Sequence, residues 1–424
     1  MTIFRKAALT RTKKRSVCVG LLTGCLLAGQ AFAQTPNIRF AHLSLEDGIS
    51  QSTVTAIAQD PAGYMWFGTQ DGLNRYDGYR FVHIKHEPNE PSSLRNDSIF
   101  TLHLDPNGDL WVGTEGGGLS RWDAADESFQ HYNAGNGAPE NFGNERVRVI
   151  TRDRNGVMWI GTHDAGLVRF DEQTGQWRKY LADPDDMKSL VDNRVRAIHE
   201  DRTGRLWVGT LDGLSLFDRA TETFTQFKSD SQNPASLSDN QVRVIFEDSR
   251  RRLWIGTLGG GLNRFDRQTG GFAHFTPDEG DPRRGPSSPH IQVLAGGDRG
   301  ELWLGTIQGG LNRFDPETAT FESYPYREND PGSLSTNDVR SILLASDGAL
   351  WVGTHGGLNR FDRDTGTFQR YLHDPSDPSS ISSDHVDALF EDRDGQLWIG
   401  TDGGGLNLFD PVTGGFTRYR SDPS

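Results

Sequence analysis

The chain has 424 residues, 34% of them hydrophobic, with 50 glycines and a formal net charge of −14, long enough for a large buried core. So large an excess of carboxylates repels phosphate backbones and excludes general nucleic-acid binding. Low hydrophobicity with abundant Gly is also a mark of disorder, but the 10 Trp and 23 Phe recur at fixed intervals, and Gly-rich turns between short aromatic strands give the same composition.

Residues 1–33 predict a secretory signal peptide. Six basic residues and no acidic one lie there, so their removal takes the formal charge from −14 to −20. The basic stretch ends at Arg15, an apolar stretch runs from Ser16 to Gly29, and Ala31-Phe32-Ala33 offers a small-x-small cleavage site before Gln34. The apolar run is too short to cross a membrane. Leu22-Thr23-Gly24-Cys25 resembles a lipoprotein cleavage box, which would lipidate Cys25. The apolar run continues past Cys25, which favours soluble export to the periplasm or beyond. Cys18 and Cys25 both lie in this segment, so residues 34–424 are expected to carry no disulfide and no thiol chemistry.

Phe40-Ala41-His42-Leu43-Ser44 reads as a lone strand like Phe368-Gln369-Arg370-Tyr371. A repeat follows. Trp-x-Gly-Thr starts at Trp66, Trp111, Trp159, Trp207, Trp254, Trp303, Trp351 and Trp398, at spacings of 45, 48, 48, 47, 49, 48 and 47 residues. That period fits the blade of a β-propeller, an all-β ring of four-stranded sheets. One unit predicts strands at Val195–Glu200, Leu206–Thr210, Leu214–Asp218 and Phe224–Lys228, separated by turns at Asp201–Gly204, Asp212-Gly213 and Thr221. A blade packs both faces on its neighbours. Trp supplies bulk for that packing, and the Gly after it removes a side chain where blades meet. The Asp-x-x-Gly turns at Asp60, Asp105, Asp153, Asp201 and Asp392 read as hairpin turns. Asp105-Pro106-Asn107-Gly108-Asp109 lacks the spacing and distal Glu of a calcium loop.

Eight repeats allow two arrangements: seven blades closing on the Phe40 strand with a second propeller starting near residue 368, or one eight-bladed ring. The lone N-terminal strand tips the expectation to the first, because a ring can close by pairing both chain ends in one blade. The chain stops at Ser421-Asp422-Pro423-Ser424, inside a loop that earlier units continue through, which suggests a longer or shortened product.

The repeat resembles the two-component regulator propeller family. Residues 242–266 carry the pattern as Val242-Arg243, Leu253-Trp254-Ile255-Gly256-Thr257 and Gly260-Gly261-Leu262-Asn263-Arg264-Phe265-Asp266, with Arg251 where the turn Gly is expected. The resemblance covers residues 38–424. It implies the periplasmic sensor half of membrane-bound histidine kinases, hybrid two-component proteins or diguanylate cyclases, built from two tandem seven-bladed propellers and often sensing oligosaccharides. Eight repeats in place of about fourteen, and the lack of a kinase or cyclase motif in this sequence, depart from that plan.

The positions that differ between repeats are the ones free to serve a ligand. After the Thr these are Gln70, Glu115, His163-Asp164, His355 and Asp402, whose carboxylates, amide and imidazoles suit sugar hydroxyls. On the inner strands, Arg148, Arg196, Arg243 and Arg340 each follow the Val of their unit. They either pair with nearby carboxylates, the expected outcome in so acidic a chain, or form an anion site at the channel. No cofactor, metal site or catalytic role is expected. The rival readings are a propeller enzyme resembling streptogramin lyases, for which His163 and His355 are the loop candidates, and a protein-interaction scaffold.

Overall fold

The computed structural model describes residues 44–46 and 48–421, apart from 134, 136, 140 and 141. The signal segment, both cysteines and Phe40 lie outside the described residues. The representative unit folds as Val195–Glu200, Leu206–Thr210, Gly213–Asp218 and Thr223–Phe227, hydrogen-bonded in that order. Period-2 alternation and the turn residues place these strands, and the observed bounds fall within a residue of those read from sequence. The same four-strand meander recurs in all eight sheets. The Trp-bearing second strand is buried at every residue in every blade, as in Leu206–Thr210, as a strand covered on both faces must be.

The blades form one ring of eight, which corrects the expectation of seven plus a remnant. Blade eight owns four contiguous strands, from Val386–Glu391 to Phe416–Tyr419. The N-terminal strand Ser44–Glu46 instead pairs outside Phe81–Ile84, making blade one five-stranded. No strand is shared across the closure, because each repeat already supplies a whole sheet. The seam is made by the bond that makes every other interface. The turn Gly before the third strand donates its N–H to a carbonyl in the loop entering the next blade: Gly72 to Asp97 at 2.7 Å, Gly213 to Asn240 at 2.8 Å, and at the closure Gly405 to Ser52 at 2.7 Å.

Side chains interlock the same way. A Cβ placed on Gly209 would lie 2.5 Å from Val242 Cγ1 of the next blade, and one on Gly400 would lie 3.0 Å from Val54 across the seam. The Gly is a socket for the first Val of the following inner strand. Each Trp then meets the third-strand aromatic of the next blade, Trp207 on Phe265 at 4.7 Å and Trp398 on Tyr76 at 5.7 Å. Burying one such indole stabilises by about 2–3 kcal/mol.

The Asp of the Asp-x-x-Gly turn does more than shape the hairpin. Asp201 Oδ1 accepts the backbone N–H of Thr203 and Arg205, while Oδ2 accepts Trp207 Nε1 at 3.0 Å and Arg267 Nη1 of the next blade at 2.7 Å. The Asp–Trp bond recurs at Asp60, Asp105, Asp153, Asp248 and Asp392. Blade six has Gly297 at this place, and Trp303 Nε1 is left without a partner. Glu301 folds back into the vacancy, accepting Arg299 N–H at 3.0 Å. Further arginines brace this turn face from blade to blade, Arg219 to Asp153 at 2.6 Å and Arg152 to Asp105 at 2.5 Å.

Two outcomes follow from this packing. Gly209→Ala is expected to destabilise by about 1–3 kcal/mol through overpacking, and Val242→Ala in the same chain to recover part of that loss. Urea denaturation of the two single variants and the double variant measures the coupling; strict additivity would remove the socket argument. The second concerns acid. Burial raises the carboxyls of Asp153, Asp201 and Asp248, but the hydrogen bonds from indole, backbone and guanidinium or hydroxyl groups outweigh it and hold all three below the ordinary 3.8. Carboxyls depressed in the folded state give stability that is whole above that value and is lost as pH falls through the folded values. Asp201→Asn is expected to flatten the fall in urea midpoint below about pH 4; an unchanged slope would mean Asp201 is not among the groups responsible.

Candidate functional site

The loops that enter the inner strands and the turns after Trp-x-Gly-Thr share one face, opposite the arginine-braced turns. A buried polar peg fixes them. In blade five Ser238 N–H donates to Asn263 Oδ1 at 3.0 Å, and Asn263 Nδ2 donates to Ser238 Oγ at 2.8 Å, over the buried Leu237. Blades one, six, seven and eight repeat the peg as Ser50–Asn74, Ser287–Asn312, Ser335–Asn359 and Ser382–Asn407. The residue after the Thr then bonds the residue before the inner strand: Glu115 N–H to Ser98 O, His163 to Arg146, His355 to Asp338 and Asp402 to His385, at 2.8 to 3.1 Å. These pairs form a rim around the channel bounded by the eight inner strands.

Every inner strand slips register at its second residue, between Val54 and Ala56, Val195 and Ala197, and the six equivalents. Such a β-bulge bends the strand and re-aims the extra side chain. The bulge residues are Thr55, Phe100, Arg148, Arg196, Arg243, Gln292, Arg340 and Asp387. They meet one another at the channel. Arg148 lies over the Phe100 ring, 3.7 Å from its centroid. Arg243 Nε donates to Gln292 Oε1 at 3.2 Å, and Arg340 Nε stands 3.6 Å from Asp387 Oδ1.

The expected pairing of the arginines with carboxylates is found for Arg340 alone. Among the described residues Arg148, Arg196 and Arg243 make no ion pair within 4 Å, and Arg148 Nε is buried without a hydrogen-bond partner. The bulge positions of blades three to five are all Arg, and the carboxylates that Arg148 and Arg196 feel, Glu115 and Asp192, stand beyond ion-pair distance. Burial, then the like charges of Arg196, Arg340 and Arg148, press Arg243 below the usual guanidinium range. Burial and Arg196 do the same to Arg148, and burial and Arg194 to Arg196.

The predicted rim residues divide by charge. His163, in blade three, has a buried Nδ1 without a partner, and burial followed by Arg146, Arg148 and Arg196 lowers its pKa. Asp164 is exposed and pairs outward with Arg146 at 2.7 Å. His355, in blade seven, stands 3.2 Å from Asp338 and 3.4 Å from Asp387, with its ring against His385. Asp402 accepts Thr53 Oγ1 at 2.7 Å across the seam. Glu115 accepts Ser98 Oγ at 3.4 Å, and Gln70 is exposed. The two loop histidines therefore sit in blades three and seven, directly opposite in a ring of eight, and do not form a joint site. Among the described residues no three His, Cys, Asp or Glu side chains converge as metal ligands do. Reading by repeat missed Phe100, Gln292, Asp387 and Thr55, which complete the channel ring. Their signal is in the sequence: the residue after the first apolar position of each inner strand changes from copy to copy while its flanks stay small or apolar.

Comparison with known proteins places this architecture. Residues 62 in number are 42% identical to a stretch of histidine kinase P4 of Formosa agariphila, covering 15% of this chain and 4% of that protein. The solved extracellular domain of a one component system from B. thetaiotaomicron aligns with 86% of this chain and 48% of its own, at 23% identity and a TM-score of 0.49. This chain thus spans about half of that domain and a small part of the kinase. The Dos1 propeller aligns with 89% of this chain and 97% of its own, at 12% identity and a TM-score of 0.56, a likeness of fold. The model of the two component regulator propeller matches residues 48–71, 93–116, 141–164, 189–212, 236–259, 333–356 and 380–403. The repeat it skips is blade six, where Pro286 replaces the buried Leu of the entering loop and Gly297 replaces the turn Asp. With seven of the eight blades matched from end to end of the ring, this chain belongs to the two component regulator propeller family.

Proposed function

We propose that this chain is an extracytoplasmic, ligand-binding sensor module, the input part of a two-component or cyclic-dinucleotide receptor, and that it binds without turnover. One observation carries the reading. Eight copies keep the packing residues of the blade while the rim and bulge positions differ from copy to copy, and those positions gather at one mouth. Family membership supports a sensing role, and the kinase relative supports a link to signalling. The signal segment supports export, and among the described residues no helix is long and apolar enough to cross a membrane. A catalytic reading has less support, since His163 and His355 stand on opposite sides of the ring and make no joint site.

The test is a screen of the purified chain against saccharides and small metabolites by thermal shift, with product analysis of every hit. At a hundredfold excess over its Kd a ligand adds about 2.7 kcal/mol to stability. The expected hit raises the melting temperature, is recovered intact, and loses its effect when Gln70, Glu115 and His355 are replaced by Ala, with the unliganded melting temperature retained. A hit converted to product, or one indifferent to the rim variant, would overturn the reading.

A further inference from the structure

We propose that Arg148, Arg196 and Arg243 form a binding site for an oxyanion group, a carboxylate, sulfate or phosphate, carried to the channel mouth by the ligand. This rests on the mouth being the ligand site and adds the chemistry of what it takes. Three consecutive blades each push a guanidinium into the channel at a bulge. Like charges that converge in a half-buried place repel one another and lose hydration, a double cost that packing does not require of them. In a chain of net charge −14, carboxylates to relieve it are plentiful, yet none pairs with these three among the described residues. Arg340, the fourth bulge arginine, is also felt by Arg243 but has a carboxylate of its own, Asp387, at 3.6 Å.

The arrangement also has the features of a prepared site. Stacking on Phe100 fixes the plane of Arg148, and the bond to Gln292 fixes Arg243. The unpartnered Arg148 Nε is one donor held in reserve, and the planar guanidinium fork matches an oxyanion in two-point geometry. Arg196 is the bulge residue of the blade between them, and its charge is felt by both. Across the ring Arg340 and Asp387 offset each other, which leaves the positive excess of the mouth on blades three to five.

Isothermal titration of the full chain at low salt tests this with four probes: inorganic phosphate, sulfate, glucuronate, and glucose as the uncharged counterpart of glucuronate. At least one oxyanion is expected to bind, with affinity that falls as salt is added. Arg196→Gln is expected to weaken it about tenfold to a hundredfold, the loss of one charge-assisted bond. Arg250→Gln, in an exposed pair with Glu317 on the opposite face, is expected to leave it within about twofold. The unliganded Arg196→Gln protein should melt no lower than the parent, since a repelling charge has been removed, and this separates a ligand contact from a structural one. Phosphate or sulfate binding alone would assign the site to a free inorganic ion or its esters. Glucuronate binding alone would assign it to a carboxylate on a sugar. Oxyanion binding unaffected by both Arg196→Gln and Arg243→Gln, or no oxyanion binding at millimolar concentration by the folded chain, would overturn the proposal. Neutral ligands that still bind at the rim would leave the sensor reading standing while this one fell.

Discussion

Everything in this molecule depends on the socket between blades. A four-stranded sheet whose second strand is buried on both faces cannot exist alone. It is stable only when its Gly receives the next blade's Val and its Trp lies on the next blade's aromatic. Because the socket is made by adjacent residues of one motif, Trp-x-Gly, the angle between blades is set locally and repeated. Eight blades close the circle at Gly400 and Val54.

The socket also divides the labour between the two faces. On the turn face the Asp of six blades accepts the indole of its own blade, and in blades two, three and four it also pairs with an arginine of the next. On the mouth face the polar peg between Ser and Asn holds the loop, and the bulge then frees one side chain per blade from packing. Substitution at a bulge residue does not disturb the socket, because the Val before it fills the neighbour's Gly and the residue after it returns to the ladder. The fold thereby presents eight independently variable positions on a frame that does not change.

Much of this was legible in the residues. The strands of residues 195–228, the second-strand core and the role of the Gly after each Trp follow from spacing and side-chain size. The number of blades in the ring did not, because the angle at the socket is a three-dimensional property that no repeat period encodes, and the lone strand near residue 40 pointed to a closure that the contiguous fourth strand of blade eight makes unnecessary. The charge state of the channel was equally hidden. Arg148, Arg196 and Arg243 look like the cationic halves of surface pairs, but in the folded chain none has a carboxylate at ion-pair distance among the described residues. The spacing of six between turn Asp and Trp was visible throughout, and its meaning as a hydrogen bond needed the curvature of the hairpin.

An even ring has a consequence that an odd one lacks. With eight blades each bulge residue has another directly across the channel: Arg196 faces Asp387, Arg148 faces Arg340, Arg243 faces Thr55 and Phe100 faces Gln292. Only the first of these pairs is of opposite sign; arginines flank Arg196 on both sides, whereas Asp387 has Arg340 at 3.6 Å and His355 at 3.4 Å. The mouth is therefore more positive at the wall of blades three to five than at the wall of blades seven and eight, where Arg340 and Asp387 offset each other. In a narrow, partly desolvated opening such a field orients a charged solute far more strongly than the same charges spread over an open surface. A symmetric stack of repeats has in this way acquired a direction, and it has done so at the positions where the fold makes no demand of its own.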